Sequence, residues 1–383
     1  MKYCTRCLYP ETKPSLRFNS EGICSACQWY ERKQSNNFYT QNKQSDLIDL
    51  IKSNKVNPNY DCIIPVSGGK DSTYQVWKIK QLGLNPLCVT APTDLLTDLG
   101  RQNLENCKNM GVDHIEFTVN KDVRKKINRY ALETVGDIQW PEHVLIFTIP
   151  IHASVMFEIP IIIWGENSVR EYGAGRIEDE NFGVTFDRQY LEENCGFNGL
   201  RVTDLIDCLD LNPCHLALYE YPESTKVENI NTKGIFLDDY FPWNGMTNQF
   251  IAQAQGFTVS SNNILGTLSN SENLDNYFHG IHDYLKFLKY GFSRSTDMAC
   301  NWIRRGLLTR EEAIKLIEGN DGIYPFKYLD KDLEDILSTI DMSVKEFDKI
   351  CDDFTNYSLF ETDANSNLVL KHKSPVLKHP ISL

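Results

Sequence analysis

The run Tyr60–Val66 (YDCIIPV) empties directly into Ser67-Gly68-Gly69-Lys70-Asp71-Ser72, and Thr73–Leu82 behind it carries a helical pattern. No other stretch limits the fold as tightly. A short apolar run of this kind reads as a buried strand. Strand, glycine-rich turn and helix N-terminus together make an anion site: glycines let backbone N–H groups approach phosphate oxygens, and the helix dipole favours negative charge there. Lys70 adds a mobile cation, and Ser67 and Ser72 add hydroxyl donors. The pattern is not the Walker loop, which needs four residues between its first Gly and the GK[ST].

Beyond the loop, strand and helix patterns alternate. Leu84–Thr90 reads as a strand, Asp98–Met110 as a helix, His114–Val119 as a strand and Asp122–Thr134 as a helix. Pro141–Phe157 then reads as a long apolar helix and Ile159–Trp164 as a buried strand. Before the loop, Ser45 is expected to cap a short helix with Leu47, Ile48 and Ile51 on its apolar face. This order predicts an α/β fold with a parallel sheet covered on both faces. Ligands of such sheets sit at the carboxyl ends of the strands. Ser67–Ser72, Thr90–Ala91 and Gly165-Glu166-Asn167 are therefore expected to converge. Val144–Trp164 has the length of a membrane span, but its Pro150, His152, Ser154, Glu158 and Pro160 suit a buried helix and strand better.

Four of the twelve cysteines fall as Cys4-x2-Cys7 and Cys24-x2-Cys27. Each pair places two thiolates on one knuckle, and two facing knuckles complete the tetrahedral S4 set that zinc accepts without an open position. Some thirty residues cannot build a sufficient core, so the metal would supply folding energy. A rubredoxin-like iron site and unligated thiols are the alternatives. The expected role is a structural staple or docking surface. Cys62, Cys88, Cys107, Cys195, Cys208, Cys214, Cys300 and Cys351 form no second CxxC and read as core or surface residues.

The formal charge of −13 argues against a protein that coats nucleic acid. Residues 1–35 carry six Lys/Arg against three Glu, net +3, which leaves −13 − 3 = −16 for the rest. The start MKYCTRCLYPETKP has no apolar core region, so a cytoplasmic chain with reduced cysteines is expected. Residues 284–310 reverse the charge, with Lys286, Lys289, Arg294, Arg304, Arg305 and Arg310 against Asp297. That island reads either as a solvated helix face or as an anion pocket. Glu166 and Asn167 read either as turn caps or as groups that bind substrate or Mg2+. His279-x2-His282 has one-turn spacing but no third ligand nearby in the sequence. Arg176–Gly199 reads as a lid or a surface excursion. Thr309-x2-Glu312 and Ser343-x2-Glu346 are capping boxes, and Leu333, Ile336, Leu337 and Ile340 mark a further helix face.

Ser67–Ser72 resembles the pyrophosphate loop (SGGxDS) of ATP pyrophosphatases. The paired CxxC motifs, YDCIIPVSGGKDSTYQ, WGEN with EYG after it, and YGFSRSTD…IRRGLLTREEA together resemble the N-acetyl sugar amidotransferases, across about residues 1–355. The resemblance implies an adenine nucleotide α-hydrolase-like domain at 45–235, between a zinc-ribbon-like module at 1–35 and a mainly helical region at 236–383. It implies ATP and Mg2+ as cofactors, with Ser67, Gly68, Gly69, Lys70, Asp71, Ser72 and Thr90 binding the nucleotide. Lys70, Asp71 and Glu166 would be catalytic. Asn167, Lys289, Arg294 and Asp297 would bind substrate, and Cys4, Cys7, Cys24 and Cys27 structural zinc.

The implied reaction adenylates the acetamido oxygen of an N-acetyl sugar, expected to be nucleotide-linked, and replaces it with ammonia in bacterial O-antigen or flagellar glycan synthesis. Ammonia would come from a glutaminase subunit with a cyclase-like partner, similar to those of imidazole glycerol phosphate synthase. No G-x-C-x-G elbow surrounds any cysteine, and Met1-Lys2 offers no terminal Cys nucleophile. The rival readings are a tRNA thiolase, which the acidic body disfavours, and a catalytically silent zinc scaffold for a glutaminase.

Overall fold

A computed structural model of the chain describes residues 1–35, 38–40, 42–174, 188, 192, 197–362 and 368–370. Its centre is a five-stranded sheet made of β1 (Cys62–Pro65), β2 (Pro86–Thr90), β3 (Asp113–Glu116), β4 (Ile161–Trp164) and β5 (Lys233–Phe236). The strand order is β3-β2-β1-β4-β5 and every pairing is parallel. In register, Ile63 lies beside Leu87 on one side and Ile162 on the other.

Side chains alternate across this sheet, and both faces are covered. Ile63, Leu87, Val89 and Ile162 pack under α5 (Lys121–Val135) and α6 (Trp140–Phe157). Cys62, Ile64, Cys88, Ile161 and Ile163 pack under α2 (Lys43–Ser53), α3 (Lys70–Gln81) and α4 (Asp98–Lys108). Burial on both faces explains why the strands read as continuous apolar runs. The membrane-like stretch resolves in the same way: α6 is apolar on most of its surface because it lies against the sheet, with Leu145, Ile149 and Ile151 fully buried. No helix among the described residues is long and apolar enough to cross a membrane.

Helix α2 begins two residues before Ser45, at Lys43, and Ser45 Oγ donates to the Asn42 carbonyl from inside the first turn. Both C-terminal capping boxes form, at Thr309 and Ser343. Leu333, Ile336, Leu337 and Ile340 are buried in a second core with Phe347 and Leu285. The N-terminal residues do not stand apart. Helix α1 (Ser25–Gln34) and the cysteine knuckles share a core with Phe292, Ala299, Cys300 and Ala313 of the C-terminal region. Cys62, Cys88, Cys107, Cys300 and Cys351 are buried and Cys208 and Cys214 exposed. Cys195 and most of Arg176–Gly199 lie outside the described residues.

Candidate active site and cysteine centre

The chain leaves β1 and turns at Gly68, whose φ of +82° and approach to α4 exclude any side chain: a Cβ there would sit 2.7 Å from the Leu104 nitrogen. Ser67 Oγ accepts from the Gly69 N–H at 3.3 Å. The Gly69 carbonyl accepts from Ser72 Oγ at 3.1 Å and from Thr73 Oγ1 at 2.9 Å, which fixes the loop onto the first turn of α3. The loop lies where the strand order reverses, between β1 and β4, the usual crevice for a ligand in an open parallel sheet.

Lys70 and Asp71 face a polar cleft of about 230 Å³, walled by Glu166, Glu171, Tyr172, Trp243, Glu272, Arg294, Asp297, Trp302 and Arg305 among others. Lys70 Nζ sits 2.6 Å from Asp71 Oδ2 and 2.6 Å from Glu272 Oε1. Burial works against its charge, but the two carboxylates outweigh burial and hold Lys70 protonated. Asn248 Nδ2 donates to the other Asp71 oxygen at 2.8 Å. Glu166 comes directly after Gly165, where a Cβ would meet the Trp243 ring at 2.8 Å. Burial, then the neighbouring Asp71 charge, pushes the Glu166 carboxyl up to about 8, so it keeps its proton at neutral pH.

The opposite wall is cationic. Burial raises the Asp297 carboxyl, but Lys286, Lys13 and Arg294 bring it down to about 2. Burial likewise opposes the Glu171 charge, which Arg305 and Arg304 restore, giving a value of about 2. Arg294 lies on this wall with its Nε buried and without a hydrogen-bond partner among the described residues.

Of the predicted residues, the cleft gathers Lys70, Asp71, Glu166, Arg294 and Asp297. Asn167 is fully buried, and its side chain accepts from the Arg170 N–H as the cap of the short helix Ser168–Glu171, so it takes the turn-capping alternative. Lys289 points elsewhere, donating to the carbonyls of Val135 and Gly136 at 3.3 and 3.0 Å. Thr90 ties the sheet together through the Val66 carbonyl and His114, and lines a separate cavity of about 510 Å³ with Ala91 and Phe117. Much of the basic island serves structure: Arg304 and Arg305 pair with Glu171, and Arg310 donates to the carbonyls of Cys4 and Cys7. Sequence reading missed Glu272, Asn248 and Trp243, and noted Glu171 only within the EYG run, without a role in the site. The first three reach Lys70 and its neighbours from far along the chain and carry no local pattern.

All four cysteines of the N-terminal pairs are buried, with their ligand atoms within 4.8 Å of one another. The Cys4 and Cys27 sulfurs lie 3.9 Å apart and those of Cys7 and Cys24 3.6 Å apart. A tetrahedral ion with bonds of about 2.3 Å requires sulfur separations of about 3.8 Å. The N–H groups of Arg6, Cys7 and Cys24 point at the Cys4 sulfur at 3.4, 3.5 and 3.2 Å, as suits a thiolate. The residues fit zinc.

The cleft is thus completed by the C-terminal region. Residues 271–373 match the family described as LPS biosynthesis protein WbpG-like, C-terminal domain. The match takes in Glu272, Arg294, Asp297 and Arg305. No curated protein matches the chain. Among solved structures, similarity is found to an NMN synthetase from Francisella tularensis, with 13% identity, 58% of this chain and 98% of that one covered, and a TM-score of 0.27. An NH3-dependent NAD synthetase from Campylobacter jejuni gives 12% identity, 58% and 99% coverage and a TM-score of 0.28. At those scores neither adds to what the sheet and the loop already display.

Proposed function

We propose that the chain is an ATP-dependent amidotransferase that converts the acetamido group of an N-acetyl sugar, one carried on a nucleotide, into an acetamidino group for a bacterial surface polysaccharide. One observation carries the reading: Lys70 and Asp71 of the glycine-rich loop face a polar cleft whose far wall belongs to a segment matching an LPS biosynthesis family. In the first step the acetamido oxygen attacks the α-phosphorus of ATP and pyrophosphate leaves. Ammonia then attacks the imidate carbon, and the C–O bond breaks to release AMP. An amide oxygen leaves poorly until it is esterified to phosphate, which is what the nucleotide provides.

The loop N–H groups and Lys70 would hold the departing pyrophosphate. Asp71 offers a hard oxygen donor that Mg2+ prefers, and Glu166 would add a second once the ion displaces its proton; the ion would neutralise the charge developing on the phosphates. Arg294 would receive an anionic group of the sugar nucleotide, and Trp243 and Trp302 offer flat apolar walls to a sugar ring. The four-cysteine centre would carry structural zinc, and ammonia would come from a separate glutaminase with a cyclase-like partner in the cytoplasm. Chromatography of the nucleotides after turnover with a nucleotide-linked N-acetyl sugar tests the chemistry. The expected product is AMP; ADP with phosphate would overturn it.

A further inference from the structure

His279 and His282 stand one helical turn apart, yet they do not share a ligand. His279 engages Asp275 and Gln139. His282 instead meets Asp137 and His143, which the sequence places far away. The Asp137 carboxylate is buried and presents one oxygen to each ring. His282 Nδ1 lies 2.9 Å from Oδ1, and His143 Nδ1 lies 3.1 Å from Oδ2. The three ligand atoms fall within 4.8 Å of one another. The two rings stand 5.3 Å apart at 77°, so they approach one point from different directions.

We propose that Asp137, His143 and His282 bind a divalent first-row metal ion, with zinc the first choice. Two imidazoles and one carboxylate are a donor set that suits zinc and its neighbours and not Mg2+ or Ca2+. Each ring remains partly open to water, at 28% and 22% of its side chain. The proton can therefore sit on Nε2, leaving both Nδ1 lone pairs for the ion. The ligands are held on rigid parts. His143 is in the first turn of α6 and His282 in the helix His279–Tyr290. The Gln139 N–H donates to Asp137 Oδ1 at 3.0 Å and Lys289 holds the two carbonyls just before it, which orients the carboxylate from outside, as supporting residues do at metal sites.

None of the three residues lines the nucleotide cleft, so the site is independent of the reaction proposed above. Its place in the fold gives it a role. Asp137 and His143 belong to the α/β half, and His282 belongs to the segment that matches the WbpG-like domain. An ion here would fasten one to the other.

The test is elemental analysis of the full chain after equilibration with excess Zn2+ and removal of free metal. Two zinc ions per chain are expected, with His143→Asn and His282→Gln each retaining only the one held by the cysteines. Asp137→Asn keeps the shape and removes the anionic ligand. In wild type, added Zn2+ should raise the melting temperature after the cysteine centre is filled, and in Asp137→Asn it should not. A wild-type chain that holds only the cysteine-bound zinc overturns the proposal, whatever the variants do. So does a second zinc that survives all three substitutions.

Discussion

Glu166 and Asp71 are two carboxylates in one small cleft, and only one of them has a lysine against it. The raised Glu166 pKa makes stability depend on pH. Its folded pKa lies above its unfolded one, so its stabilising contribution is full below the ordinary carboxylate range and disappears as pH rises through about 8. Glu166→Gln should therefore leave the melting temperature near wild type in mild acid and raise it relative to wild type above that value, while turnover is lost. A melting-temperature difference that stays flat from mild acid to mild alkali would refute the assignment. Lys70 presents the converse case. Lys70→Ala leaves Asp71 and Glu272 without their cation as well as exposing bound phosphate charge. It should cost on the order of 2 kcal/mol in transition-state stabilisation, about 30-fold in kcat/KM.

At the level of elements, the cysteine knuckles and the helices Arg294–Arg304 and Arg310–Ile317 behave as one unit. Ala299, Cys300 and Ala313 share the knuckle core, and Arg310 holds two knuckle carbonyls. Cys4→Ser should therefore abolish zinc binding at the cysteine centre and also weaken the sugar substrate more than ATP, because the wall bearing Arg294 and Asp297 rests on this core. Steady-state KM values for the two substrates, measured beside zinc content, check this; an unchanged sugar KM in a protein that has lost the cysteine-bound zinc would contradict it.

The features legible in the sequence at this scale are local ones. Four strands, the helices between them and both capping boxes arise from apolar runs and cap residues within a few positions. Strand β5 does not, because Lys233–Phe236 (KGIF) holds only two β-forming side chains behind an exposed lysine and a glycine, too few to make an apolar run or an alternation. The Lys70 side of the cleft is legible because its residues are contiguous. Glu272 and Asn248 are not, since contacts across 202 and 177 positions leave no periodicity behind. The basic island misleads for the same reason: the charges are visible, but the partners of Arg304 and Arg310 are not.

For the molecule as a whole, the proposed reaction requires ammonia to reach an adenylated intermediate surrounded by water at roughly 55 M. A docked partner that channels ammonia raises its local concentration and keeps water out. The purified chain should thus turn over with high ammonium, and with glutamine only when a separate glutaminase is added. Turnover of glutamine by the single chain would overturn that expectation. At the heart of the proposed reaction is the exchange of an amide oxygen for nitrogen in the sugar. Mass spectrometry of the sugar nucleotide after incubation with ATP and either ordinary or 15N-labelled ammonium decides whether it occurs. With ordinary ammonium the product should be lighter by the difference between an oxygen atom and an NH group, and with 15N-labelled ammonium the heavy isotope should bring it back to nearly the mass of the starting sugar. AMP release with an unchanged sugar mass in ordinary ammonium, or the same lighter product in both reactions, would refute the exchange.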